Sequence, residues 1–242
     1  LFRLSHSPRY RSKRMQIKYI LGLMLYQMQL NQTAAFQFIS VVRGGRNRFI
    51  EEAIEKLSLA ANQLGDDTLL NYALSRVNVE DFPSRYRDML YYRIGEYQYR
   101  NSGYLQAAKS FLRVSRTSEL FPEAKYKQGL ALAEAGKEQQ AIEAFSDLVD
   151  SRMTDGITDE ARVAGVIGKA RVYYQAEKWE EAINYYRDVP RDTEMWHDTL
   201  FESSWAMLRS GKFRSALSNF QSLHSPYYEQ YYLPESLLLR SI

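Results

Sequence analysis

The chain has 242 residues, 45% of them hydrophobic and 25% charged, with a formal net charge of +3. This composition is that of an ordinary soluble protein, long enough for one or two globular domains or for one solenoid. The absence of cysteine excludes disulfide frameworks, thiolate nucleophiles and cysteine-based zinc sites. No uninterrupted apolar stretch reaches about 18 residues, so we expect no membrane span.

Basic residues are concentrated at the start of the chain. Up to Ile50 there are nine Lys or Arg residues and no Asp or Glu, whereas the remainder has 23 basic and 29 acidic residues. This bias indicates either a site for an anionic partner or a solvated tail with polar helix faces. Nucleic acid is disfavoured, because no recognition-helix or RNA-binding motif follows the charges. The candidate basic patch consists of Arg9, Arg11, Lys13, Arg14, Lys18, Arg43, Arg46 and Arg48.

The first predicted helix contains the apolar stretch 19–26. A basic run before a short apolar stretch is also typical of a signal peptide. Gly22, Ala34 and Phe38 nevertheless have the spacing that recurs along the rest of the chain, so we assign this stretch to the fold.

A small residue, an alanine and a bulky residue recur together along the chain. The alanine follows the small residue by 12 positions and precedes the bulky one by 4, and successive alanines are 39, 34, 34, 41 and 34 residues apart. Because small residues let helices cross closely, we expect the first two to mark the contact within a helix pair. The bulky residue is expected to fill the seam toward the next pair. The six sets are Gly22, Ala34, Phe38; Ala61, Ala73, Val77; Gly95, Ala107, Phe111; Gly129, Ala141, Phe145; Ala170, Ala182, Tyr186; and Ser204, Ala216, Phe220.

This pattern resembles the tetratricopeptide repeat, whose period is about 34 residues, over roughly 15–223. The resemblance implies an all-α, right-handed α-solenoid of about six helix pairs plus the start of a seventh. The steps of 39 and 41 residues require insertions, which we place at 43–48 and 151–159. An unfinished last repeat also predicts that the chain is a fragment of a longer protein. The predicted organisation is a basic tail at 1–14 and a solenoid at 15–242, with repeats at 15–48, 54–87, 88–121, 122–155, 163–196 and 197–230 and a partial repeat at 234–242.

Catalytic signatures are missing from the sequence. His6, His197 and His224 are far apart and lack metal-ligand spacing. No phosphate loop, dinucleotide fingerprint or nucleophile elbow occurs. We therefore expect no enzyme activity, no metal and no cofactor.

Stacked helix pairs present a concave groove lined by the first helix of each pair. On that helix, the positions three before and four after the small residue share one face, and aromatic residues dominate both rows. Tyrosine and arginine are frequent anchors of binding partners. The same rings could instead pack on neighbouring helices as part of the general repeat pattern. The candidate groove residues are Tyr19, Tyr26, Tyr92, Arg93, Tyr99, Arg100, Tyr126, Lys127, Arg171, Tyr174, Phe201, Trp205 and Arg209.

The resemblance implies a scaffold that binds a protein or peptide partner, as an extended or helical segment, in this groove. Family members that bind acidic C-terminal tails carry a lysine and asparagine clamp, and Tyr19 and Leu23, or Tyr92 and Glu96, stand at the corresponding positions. Recognition of that type is therefore disfavoured. The chain is also loosely similar to repeat proteins of bacterial cell envelopes, which favours the periplasm or envelope over the cytoplasm. Two alternatives stay open: a module that binds an anionic polymer or membrane surface through the basic first repeat, and a passive structural spacer.

Overall fold

A computed structural model describes residues 1–44, 47–64, 79, 84–150 and 158–223. Within these residues the regular structure is entirely helical, with a short 3₁₀ segment at Pro8–Lys13. The α-helices are α1 (Phe2–His6), α2 (Arg14–Gln27), α3 (Asn31–Val42), α4 (Ile50–Leu64), α5 (Ser84–Arg100), α6 (Tyr104–Leu112), α7 (Phe121–Glu134), α8 (Glu138–Val149), α9 (Asp159–Gln175), α10 (Trp179–Arg187), α11 (Trp196–Arg209) and α12 (Phe213–Leu223).

The chain forms two compact units, Leu1–Asn101 and Ser102–Ile242. In unit 1, α2 packs on α3, α3 packs on α4, and α2 also contacts α4. In unit 2, consecutive helices from α6 to α12 pack on one another, and α7 also contacts α9. Within these runs, each helix thus contacts the next helix in the chain, and in each unit first helices of successive pairs also contact each other. This is the contact pattern of stacked helix pairs, so the predicted all-α solenoid class is confirmed.

Apolar residues at helical spacing explain which face of each helix is buried. On α4, Ala53, Ile54, Leu57 and Ala60 recur at one-turn intervals, and all four are fully buried. They join Phe38 and its neighbours in the core of unit 1. The core of unit 2 is built in the same way from α9 to α12.

The small, alanine and bulky positions of the repeat are buried wherever the structure describes them. A Cβ atom placed on Gly22 would lie 2.6 Å from the Phe38 ring, and one placed on Gly129 would lie 2.6 Å from the Phe145 ring. The bulky residue therefore packs first on the glycine of its own pair. The sequence analysis placed this residue in the seam toward the next pair and did not predict the contact within its own pair.

The seam toward the next pair is nevertheless occupied at Phe145. A Cβ atom on Gly168 of α9 would lie 2.5 Å from the same ring. Phe145 of α8 is thus held between a glycine of its own pair and a glycine of the following one.

Each turn from a first to a second helix that the structure describes contains one residue with positive φ, seven positions after the small residue. Gln29, Ser102, Gly136, Glu177 and Gly211 have φ values between 58° and 76°. In the turn after α7, Lys137 N–H donates to the Leu132 carbonyl at 2.8 Å. This bond closes the helix end in the manner of a Schellman motif, which explains why a left-handed residue recurs.

Several sequence predictions lie outside the described residues. These are Ala73, Val77, Arg46, His224, the side chain of Ala61, most of the insertion at 151–159 and the partial repeat at 234–242. Around the first insertion, α3 ends at Val42 and α4 begins at Ile50. After the second insertion, α9 begins at Asp159, where the Thr158 side chain accepts a hydrogen bond from Ala161 N–H at 3.2 Å.

Candidate functional site

A charged cluster joins three helices of unit 2. Arg171 on α9 donates two hydrogen bonds to Glu202 on α11, from Nε to Oε2 at 2.9 Å and from Nη2 to Oε1 at 2.6 Å. Two parallel bonds of this kind fix the plane of the guanidinium group. Since α9 and α11 are the first helices of successive pairs, the ion pair also links two repeats.

Tyr186 on α10 completes what we call the Glu202 cluster, formed by Arg171, Tyr186 and Glu202. Its hydroxyl donates to Oε2 of Glu202 at 2.9 Å, and the residue is only 5% exposed. Burial raises the pKa of Tyr186, and the negative charge and hydrogen bond of Glu202 raise it further. The hydrogen bond to Glu202 raises the pKa of Arg171 as well. The phenol therefore stays a donor, and the guanidinium stays charged, at physiological pH.

Arg171 retains hydrogen-bonding capacity beyond the cluster. Its side chain is about half exposed, and only Nε and Nη2 donate to Glu202. Among the residues that the structure describes, no acceptor binds Nη1. An oriented donor group is thus presented on the exposed face of α9.

Aromatic rings flank the Glu202 cluster. Tyr126 on α7 lies near enough to Arg171 that its negative form would raise the pKa of the guanidinium. The Tyr126 ring centre is 5.6 Å from that of Phe145, and the Phe201 ring centre is 6.2 Å from that of Phe220. Both first-helix rings are half-buried, so they contribute to the core and keep one edge exposed.

The aromatic surface continues along α9 and α11. Trp205 is 36% exposed and meets Phe201 edge-on, with ring centres 6.4 Å apart. Tyr174 meets Trp179 edge-on at 5.0 Å, and the Arg209 guanidinium lies 5.8 Å from the centre of the Trp179 ring. Ring contacts thus link Phe201 to Trp205, and they link Tyr174 to Arg209 through Trp179.

Two of the other predicted groove cations are in ion pairs. Lys127 lies 3.4 Å from a Glu123 carboxylate oxygen, and Arg93 lies 2.7 Å from one of Glu96. The Arg93 guanidinium also lies 5.7 Å from the centre of the Tyr92 ring. Tyr92 is only 4% exposed, so its ring is buried and does not form part of an accessible surface.

The remaining predicted groove residues of unit 1 are more accessible. Tyr19 stacks on Phe49 with ring centres 5.3 Å apart, and Tyr26 packs against the core. Tyr99 is half-buried and Arg100 is exposed. Together with Tyr92 and Arg93 they lie in unit 1, whereas Tyr126, Lys127 and the later residues lie in unit 2.

The predicted basic patch is mostly exposed. Arg9, Arg11, Lys13, Arg43 and Arg48 are exposed, whereas Arg14 and Lys18 are half-buried. Partial burial lowers the pKa of Lys18, and the nearby positive charge of Arg14 lowers it further. Arg48 lies over the Phe49 ring at 4.5 Å.

The sequence analysis missed Glu202 and the polar contact of Tyr186. Tyr186 was assigned only a packing role as the bulky residue of its repeat. Glu202 lies 31 residues after Arg171, two positions before the small residue of the next repeat. Opposite charges 31 residues apart, on the first helices of successive pairs, are the sequence signal that indicates this link.

Metal-binding arrangements and membrane-spanning helices are not found among the described residues. No group of three or more His, Asp or Glu side chains there could hold a metal ion. None of the described helices has the length and apolar character needed to cross a membrane. His6 is exposed, and His197 is buried with a pKa that burial lowers.

The stacked pairs and the row of polar and aromatic residues on the first helices define a helical-repeat protein. Residues 92–156 match the family model described as tetratricopeptide repeat. The matched segment spans about a quarter of the chain, and the recurrent packing and turns described above extend the same repeat spacing to other described helices. Proteins of this family generally act as scaffolds that bind other proteins.

A solved structure supports the same fold. The chain is similar to the structure titled "Functional Characterization of Pseudomonas Aeruginosa pilF", with a TM-score of 0.51 and 16% sequence identity. The match covers 91% of this chain and 97% of that one. No curated protein sequence matches the chain.

Proposed function

We propose that the protein is a non-enzymatic scaffold that binds an extended or helical segment of a protein partner along the first helices of unit 2. The observation that carries this proposal is the Glu202 cluster. Its bidentate ion pair holds the Arg171 guanidinium in one orientation, with Nη1 available to an oxygen atom of a partner. A donor that is already oriented loses little conformational entropy when a ligand binds.

The rings beside the cluster suit apolar or aromatic side chains of the same partner. Phe201 and Trp205 provide a partly exposed aromatic surface on α11, and Tyr126 provides another on α7. Rigid rings bury a large area at a low entropic cost. An affinity near 1 μM corresponds to about 8 kcal/mol, which one arginine anchor and a few ring contacts could supply.

We also propose that this partner belongs to a bacterial envelope assembly. The cysteine-free composition suits this compartment, because such a chain forms no unwanted disulfide in an oxidising environment. Fractionation of the source cells tests it: recovery of the protein with the cytoplasmic fraction alone would contradict an envelope assignment.

Site-specific photocrosslinking in the source cells tests the binding surface. A photoreactive residue at Trp205 should yield a defined adduct, and Arg171→Ala in the same chain should reduce its yield about tenfold or more. Phe213 is the matched control position, because it is aromatic and 67% exposed but lies at the start of α12.

Two outcomes would contradict the proposal. One is an adduct yield at Trp205 no higher than at Phe213. The other is a Trp205 adduct that Arg171→Ala leaves unchanged. Either result would favour the passive-spacer alternative, which requires no contact on this face.

A further inference from the structure

Exposed apolar residues and unbalanced positive charge coincide at the start of unit 1. Among the residues that the structure describes, fifteen large apolar side chains are exposed, and eight of these lie in the first 36 residues. The same segment has six Lys or Arg residues and no Asp or Glu. Water-exposed apolar groups are unfavourable, so their concentration in one cationic segment indicates a surface that is covered in use.

The helix α1 and the 3₁₀ segment that follows it carry both features. Phe2 is 61% exposed and Leu4 is exposed too, whereas Ser5 is buried, which directs the apolar residues outward. Arg9, Arg11 and Lys13 in the next few residues are exposed as well. None of these three cations pairs with a carboxylate in the part of the chain that the structure describes.

An apolar stripe continues along α2. Ile20, Met24 and Met28 lie at four-residue spacing, which places them on one face of the helix and its C-terminal cap, and all three are exposed. Met28 is 66% exposed. Unbranched methionines adapt to an irregular or fluid environment more readily than other apolar residues.

We propose that residues 1–30 form a peripheral docking surface for an anionic lipid membrane. Phe2, Leu4 and the α2 stripe would enter the boundary between headgroups and acyl chains, and the cations of the 3₁₀ segment would contact lipid phosphates. Apolar residues beside Lys and Arg are the signature of interfacial membrane segments. The segment contains six Lys or Arg residues and no acidic residue, and a layer of anionic headgroups complements such a surface over its whole area.

Flotation with lipid vesicles tests this surface directly. The protein should float with vesicles of equimolar phosphatidylglycerol and phosphatidylcholine and should remain in solution with vesicles of phosphatidylcholine alone. Added salt should weaken the interaction, because the electrostatic part is screened. Equal flotation with both vesicle types, or with neither, would overturn the proposal.

Variants at exposed positions separate the two contributions while leaving the packing intact. Replacing Arg9, Arg11 and Lys13 by Gln should lower the partition coefficient about a hundredfold, since each cation near an anionic surface contributes about fivefold. Phe2→Ser should lower it about tenfold. The matched control replaces Phe213 by Ser and Arg214 by Gln, an exposed aromatic and cationic pair in unit 2, and should leave flotation unchanged.

A soluble polyanion distinguishes lipid from an acidic protein or polymer. Polyglutamate should compete only at high concentration, and Phe2→Ser should not change its binding. If polyglutamate binds as tightly as the vesicles do, and Phe2→Ser leaves flotation unaltered, the surface recognises charge alone and the membrane proposal fails. This test is independent of the groove on unit 2.

Discussion

The position of Phe145 between two glycines leads to a quantitative prediction for unit 2. Its ring is fully buried, and a Cβ atom on Gly129 or Gly168 would lie 2.6 or 2.5 Å from it. Carbon atoms in favourable contact are about 3.5–4.0 Å apart, so either alanine overlaps the ring by roughly 1 Å. Both added Cβ atoms would lie nearest the same three ring atoms, Cδ1, Cε1 and Cζ, so this edge of the ring has no room for either methyl group.

The net cost follows from two opposing effects. Overpacking of a core costs about 1–3 kcal/mol, while alanine is favoured over glycine within a helix by about 1 kcal/mol. Taking the middle of the first range, we expect Gly168→Ala to lower the free energy of unfolding by about 1 kcal/mol. Phe145→Leu should recover part of this loss in the double variant, with a coupling of about 1 kcal/mol or more.

Urea unfolding followed by tryptophan fluorescence measures these values. Trp179, Trp196 and Trp205 are the three tryptophans of the chain and all lie in unit 2, so fluorescence reports on the unit that contains Phe145. Finding Gly168→Ala as stable as the parent chain would refute the packing argument. So would a double variant in which the effects of Gly168→Ala and Phe145→Leu simply add.

Further predictions concern the turns and the Glu202 cluster. Glu177 has a φ of 58°, which glycine adopts without strain, so Glu177→Gly should raise the free energy of unfolding by about 1 kcal/mol. Gly136 has a φ of 68° and open space around it, so Gly136→Ala should lower the free energy of unfolding by about 1 kcal/mol. Tyr186→Phe should cost about 1–2 kcal/mol, since it removes a hydrogen bond to a carboxylate. The raised pKa of Tyr186 means that the unfolded chain loses this proton first, so stability should fall as the pH rises above 10, less steeply in Tyr186→Phe. Urea unfolding at several pH values measures the stability of all three variants. An effect of opposite sign in Glu177→Gly and Gly136→Ala would contradict the turn argument. Stability that falls equally steeply above pH 10 in Tyr186→Phe and in the parent chain would contradict the pKa argument.

The repeat spacing predicted the contacts within helix pairs correctly. Gly22 and Phe38 are 16 residues apart, and this separation is set by two short helices and one turn, so a fixed offset in the sequence corresponds to a fixed contact. Contacts between pairs depend in addition on the length of the connecting segment. Gly168 meets Phe145 across an insertion, at a position with no small residue in the other repeats, and the repeat pattern could not indicate it.

The candidate groove shows the same division. Spacing placed Arg171, Phe201 and Trp205 on the first helices, and the structure brings Phe201 and Trp205 into contact. Spacing alone could not show that the Tyr92 ring is almost fully buried whereas the Trp205 ring is partly exposed, because both residues stand on the expected helix face. Burial of a ring depends on the side chains contributed by the neighbouring helix, and those differ from one repeat to the next.

The ion pair between Arg171 and Glu202 is better explained by orientation than by stability. Exposed ion pairs contribute about 0–1 kcal/mol, because water solvates both charges and ordering the side chains costs entropy. The Arg171 and Glu202 side chains are partly exposed, so their pairing stabilises unit 2 only slightly. The structural consequence of this pairing is that Nη1 of Arg171 has one fixed direction. Arg171→Lys keeps the charge but cannot form the bidentate contact, so it should preserve the midpoint of urea unfolding yet reduce the Trp205 crosslink. If the protein is a passive spacer, Arg171→Lys should leave the Trp205 crosslink unchanged. If the ion pair only stabilises the fold, Arg171→Lys should lower the midpoint of urea unfolding and leave the crosslink unchanged.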